Sequence, residues 1–241
     1  MPPYPTLTNP PISEAILDIQ VQLSEGTQAE HLDVFANHVG PGFAAGKQVG
    51  NAEVTIDDGE IVARSRVTLG KIYWSHDGSR AVQARTNGFT YNVVKGYRSW
   101  ALHRSQAEPL WLHYLETAHP SRVKRCALRY INKIEIPVGV DVNQVLRTRP
   151  QMPESLSKSF LEMFMRVVVP IDEDRRAIIT QNLPSTASEN AGFLLVDVDV
   201  FSTRSLEPRS TAVWDEFEVL HEHANRCFFE SIQPQALERY K

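Results

Sequence analysis

Residues 125–137 (RCALRYINKIEIP) read as one long strand with two chemically different faces. Cys126, Leu128, Tyr130, Ile134 and Ile136 fall on one side, and Arg125, Arg129, Lys133 and Glu135 on the other. Strand side chains alternate with period 2, so the division follows from backbone geometry. The apolar side needs a cover. The charged side is either a solvated face or a binding surface.

The same alternation recurs along the chain. Residues 12–23 place Ala15, Leu17, Ile19, Val21 and Leu23 on one side, and Glu14, Asp18, Gln20 and Gln22 on the other. This is the pattern of a half-buried strand. Thr27, with Glu30 three residues on, predicts a capped helix carrying Leu32, Phe35 and Val39. Glycine-rich residues 40–50 read as a connector. Strands follow over 53–56, 61–74 and 80–94, separated by Asp58-Gly59 and Asp77-Gly78, which are hairpin signals. Residues 97–117 predict a helix with apolar anchors Trp100, Leu110, Trp111, Tyr114 and Leu115, kinked or divided at Pro109.

The second half repeats the order. After the 125–137 strand come a helical turn over 140–146 and a proline-rich loop. Strands over 159–169, 175–182 and 192–203 follow. A final helix over 211–232 has Val213, Trp214, Phe217, Leu220, Ala224, Cys227 and Phe228 as its stripe. The expected fold is α+β: antiparallel sheets covered by long helices, in two pseudo-repeated halves, 1–119 and 120–241, forming one compact unit. Such a unit resembles a TATA-binding-protein-like saddle or a helix-grip fold, which by itself implies no function.

Several segments together resemble a sporadically distributed family of bacterial conserved hypothetical proteins of about 250 residues. They are Asn9-Pro10-Pro11-Ile12-Ser13-Glu14-Ala15, the Trp100 helix, residues 128–134 with Ile136-Pro137, and a closing helix with Leu220-His221 and Phe228. The resemblance implies a single full-length unit and supplies no activity.

The 241 residues are 42% hydrophobic and 22% charged, a globular composition that excludes disorder over most of the length. The net charge of −4 argues against a protein built to coat nucleic acid. Cys126 and Cys227 have no metal-ligand spacing and read as reduced thiols. With no cationic-apolar leader and no apolar run near 20 residues, the expectation is a cytoplasmic protein that does not span a membrane.

Catalytic patterns are weak. His221-Glu222-His223 places its two imidazoles on diverging directions of a helix. Cys126 alternates to the apolar side, away from any base. There is no Gly-x-Ser-x-Gly elbow, dinucleotide fingerprint or phosphate loop. A charged-tunnel phosphate enzyme would want alternating Glu-x-Glu-x-Lys, and the first strand instead reads Glu14-Ala15-Ile16-Leu17-Asp18.

The candidate binding set is therefore Arg64, Arg66, Arg85, Arg125, Arg129, Lys133 and Glu135, because guanidinium forks match phosphate and carboxylate oxygens. Against it stands cross-strand pairing with Glu14, Asp18, Glu60, Glu135 and Glu162. The leading expectation is a non-enzymatic protein whose basic sheet face meets an anionic ligand, protein or nucleic acid, with no cofactor. A metal- or phosphate-dependent enzyme and a homodimeric interaction protein are the alternatives. Tyr97, Trp100 and neighbouring aromatics would line a pocket if the helices leave a gap over the sheet.

Overall fold

A computed structural model of the chain describes residues 4–57, 60–137, 140–156, 160–184 and 192–241; the side chains of residues 51–66 lie outside the described part. The architecture is α+β, built on one antiparallel sheet of nine strands.

Two alternating segments form its centre. Strand β1 (Ile12–Gln22) pairs antiparallel with the second long strand, Arg122–Ile136, setting Leu17 opposite Leu128 and Ile19 opposite Cys126. Strands β2 (Lys47–Asp57), β3 (Glu60–Trp74), β4 (Arg80–Arg85) and β5 (Gly88–Val93) extend the sheet on the β1 side. The Arg122–Ile136 strand is β6, and β7 (Met163–Pro170), β8 (Arg175–Leu183) and β9 (Gly192–Ser202) extend the sheet beyond it. The order is β2-β3-β4-β5-β1-β6-β9-β8-β7, so β2 and β7 stand at the ends.

Helices α1 (Trp100–Ala118) and α2 (Ala212–Ser231) lie on one face. Leu17, Leu128, Val198 and Val200 from the sheet and Phe217 and Leu220 from α2 are all 0% exposed. Each such side chain contributes about 1.5–3 kcal/mol by leaving water. The helices have 19 and 20 residues, ordinary lengths in place of the long covering helices expected. Strand β7 keeps exposed apolar side chains, Phe164 at 70% and Val168 at 51%.

Four local departures from the sequence reading stand out. The single strand expected over 80–94 is a hairpin, β4 and β5, turned at Thr86 and Asn87. Gly88 follows at φ 157°, and a Cβ there would stand 2.2 Å from the Ile19 carbonyl oxygen, so this crossing with β1 requires glycine. The Thr27-capped helix forms as a 3-10 helix, Ala29–Asn37, capped by Gln28, whose backbone N–H donates to His31 Nδ1 at 3.2 Å. The Thr27 hydroxyl instead donates to the Ser24 carbonyl. Pro109 does not divide α1, which runs through it. Ser99 caps the start by accepting the Leu102 N–H, and His119, in the left-handed region at φ 46°, closes the end. The expected glycine-rich connector is shorter, because β2 begins at Lys47.

Candidate functional site

The uncovered face of the sheet carries the charges predicted from the alternation, and the register sets acids among them. Asp18 stands between two strands' guanidiniums: Arg85 Nη2 donates to it at 2.7 Å and Arg125 Nη1 at 3.5 Å. Thr90 also donates to Asp18, at 2.8 Å. Arg125 reaches Asp199 at 3.5 Å and lies over the Phe201 ring at 4.5 Å. Arg129 forks onto Asp197 with bonds of 2.8 and 2.6 Å. Three cations thus meet three acids, and the charge of Glu14 on the same side of β1 also acts on Arg129. Asp199 is the least satisfied member. Its Oδ1 is buried without a hydrogen-bond partner, and burial, with like charge from Asp197 and Asp18, raises its pKa.

Lys133 and Glu135 do not join this cluster. Lys133 lies 4.4 Å from the Phe193 ring centroid. Glu135 pairs with Arg239 at 3.4 Å. Arg64 and Arg66 lie on β3, opposite Val54 and Ala52, and their side chains fall outside the described residues. Sequence reasoning passed over Asp197 and Asp199. Their signal was available in the alternation Val196-Asp197-Val198-Asp199-Val200, which sends both carboxylates to the open face.

The covered side of the sheet holds a different arrangement. Between β6, the start of α1 and the middle of α2 is a cavity of about 1030 Å³, bordered also by residues 4–7 and 10–12. Aromatic rings form much of its wall. Trp100 stacks on His221 with centroids 5.2 Å apart, and Tyr4 stacks on Phe229 at 5.0 Å. The α1 N-cap sends Trp100 inward, where its Nε1–H donates to Glu218 of α2 at 2.8 Å.

Polar atoms run through this wall as a chain. Tyr97 and Tyr130 hydroxyls lie 3.3 Å apart, Tyr130 Oη lies 3.1 Å from His221 Nδ1, and Asn225 Nδ2 lies 3.1 Å from His221 Nε2. With the Asn225 amide donating to Nε2, the imidazole proton sits on Nδ1 and points to Tyr130. Tyr130 then donates to Tyr97, which leaves the Tyr97 hydroxyl as a donor toward the cavity.

Burial keeps this chain neutral. It lowers the His221 pKa to about 4, pushes Tyr97 up to about 12 and raises Tyr130 well above its ordinary value. Groups poised so far from neutral pH are poor proton-transfer catalysts and good fixed hydrogen-bonding partners. Cys126 is likewise held as a thiol by burial. Among the described residues, no group of three or more His, Cys, Asp or Glu side chains is placed to hold a metal ion. No described helix is long and apolar enough to cross a membrane.

Tyr97 and Trp100 were anticipated as pocket aromatics. Tyr130 was read only as a residue of the apolar side of its strand, and His221 only as part of a His-Glu-His run whose imidazoles diverge. Asn225 was not singled out, because its role depends on α2 passing β6. No protein-family model matches the chain, and neither curated proteins nor solved structures give a match.

Proposed function

We propose that the chain is a binding protein that takes a small organic molecule with an apolar or aromatic body into the cavity between sheet and helices. The cavity itself carries this reading. At about 1030 Å³ it is at the upper end of ordinary ligand pockets, and it combines aromatic walls with a few convergent polar groups. The neutral Tyr97–Tyr130–His221–Asn225 chain suits orientation of a ligand more than catalysis of a reaction. The basic open face is the weaker surface, since its central guanidiniums are already answered by carboxylates.

The sheet order supports reading 1–119 and 120–241 as related half-units that meet at the β1–β6 pair, in the manner of a saddle or helix-grip fold. On that reading, α1 and α2 are equivalent helices and the cavity opens where they diverge.

Titration with the uncharged dye N-phenyl-1-naphthylamine tests the cavity. Native protein should enhance its fluorescence saturably. Asn225→Trp, which projects an indole into the space, should weaken binding at least tenfold while native near-ultraviolet dichroism is kept. Equal binding by the two folded proteins would place the dye elsewhere and reject the assignment.

A further inference from the structure

The geometry points to an oxyanion subsite at the start of α1, so that the cavity's ligand is an organic anion, a carboxylate or a phosphate ester, with its apolar body in the cavity. This rests on the cavity reading above and extends it.

A second recess, of about 190 Å³, adjoins the cavity and shares Tyr97, Arg98 and Ser99 with it. Arg80, Lys95 and Arg98 line it, against one acid, Asp77. That acid is already engaged. It accepts from the Ser75 hydroxyl at 2.6 Å and from the Ser79 hydroxyl and backbone N–H, and these hydrogen bonds hold its pKa far below the usual carboxylate range. Three cations against one carboxylate leave the recess with a net positive charge of two.

Among the described residues, neither Lys95 nor Arg98 has an acid at ion-pair distance, unlike Arg85, Arg125 and Arg129 on the open face. Their position adds a second attraction. Arg98 immediately precedes the Ser99 N-cap of a 19-residue helix that has no acid in its first turn. The amides of Trp100 and Ala101 belong to the helix's unpaired N-terminal donors, and the helix dipole is positive there.

One buried group lacks a partner at the same place. His103 lines the recess, is 2% exposed, and its Nδ1 meets no hydrogen-bond partner, while Nε2 lies 3.4 Å from the Tyr91 carbonyl oxygen. With Nε2–H donating to that carbonyl, Nδ1 is a lone pair that can accept from the O–H of a ligand or of solvent and does not itself hold the oxyanion. Lys95 and Arg98 are exposed at the mouth, where long cationic side chains can close over an anion.

Displacement of the dye from native protein by 1-naphthol, 1-naphthoate and 1-naphthyl phosphate at pH 7.5 tests the subsite. All three share one ring system and differ in charge. Both anions should displace the dye at concentrations at least tenfold lower than naphthol, and their ranking tells carboxylate from phosphate ester. In Lys95→Gln/Arg98→Gln the advantage should vanish, both anions displacing the dye no better than naphthol does from the same variant. Both positions are exposed, and unaltered thermal melting verifies the fold. Anions no better than naphthol, or an advantage that survives the double substitution, would overturn the subsite and leave the cavity standing. Failure of the native protein to bind dye and naphthol alike would overturn both.

Discussion

The two faces of the sheet treat polar atoms in opposite ways. On the open face, charged groups pair with one another and stay partly wet; side chains of the Asp18, Asp197 and Asp199 clusters are 17–42% exposed. On the covered face, the most deeply buried groups are either charges held by several hydrogen bonds or groups kept neutral. Glu216 on α2 is 1% exposed and binds Arg175 through bonds of 2.6 and 2.8 Å and Arg204 at 3.0 Å. His221, His103 and Tyr130 are kept neutral by burial. The same side-chain chemistry therefore has different energetic weight on the two sides, because water screens one set and is excluded from the other.

The largest expected difference lies at Glu216. Burial alone would raise its pKa, but the Arg175 and Arg204 hydrogen bonds outweigh that and leave it lowered. Glu216→Ala removes the acid that, among the described residues, meets both guanidiniums and leaves Arg175, 15% exposed, without a counter-charge on its inner side. Breaking a buried pair from one side costs about 3–5 kcal/mol. Urea unfolding should show a loss of that size. A loss under 1 kcal/mol would mean that the covered face is as forgiving as the open one.

Next comes the response to mild acid. His221 and His103 have folded pKa values of about 4, below the ordinary 6.5, so the unfolded chain binds their protons first. Their neutral burial is without penalty above about pH 6.5, and stability is lost as pH falls from there toward 4. Between pH 7 and 5 each imidazole should cost about 2 kcal/mol. His221→Gln should therefore flatten the slope of unfolding free energy against pH in that window. An unchanged slope would place the acid sensitivity elsewhere.

How much of this was legible depends on whether the signal was local. The alternation of 12–23 and 125–137 located both central strands, because a period-2 pattern is written in neighbouring residues. The 80–94 hairpin was missed although Asn87-Gly88 marks it, since the apolar run on either side of the turn masked the break. The basic side of β6 was read correctly as a face. Its neutralisation depended on strand order, which brings Asp18 from one neighbour and Asp197 and Asp199 from the other. The cavity was the least legible. His221, Asn225, Tyr97 and Tyr130 come from three distant segments, and only the crossing of α2 over β6 brings them together. Lys95 and Arg98 look like ordinary loop cations until the structure shows that, among the described residues, neither has an acid at ion-pair distance.

The smallest effect is the sharpest test of the open face. Arg129 and Asp197 form a two-pronged pair, with the arginine side chain 42% exposed and the aspartate 19%. Solvent screening reduces such a pair to about 1 kcal/mol, even with good geometry. A double-mutant cycle of Arg129→Ala and Asp197→Ala should return a coupling near that value, shrinking in high salt. That result would identify Arg129 as a residue satisfied within the sheet. Arg129→Glu/Lys133→Glu should then leave naphthyl phosphate binding at its native level, since the proposed subsite is on the opposite side. Coupling near zero, together with lost ligand binding in the charge-reversed protein, would reverse the comparison. The open face would then be the surface that receives the anion, and the paired guanidiniums would be its resting state.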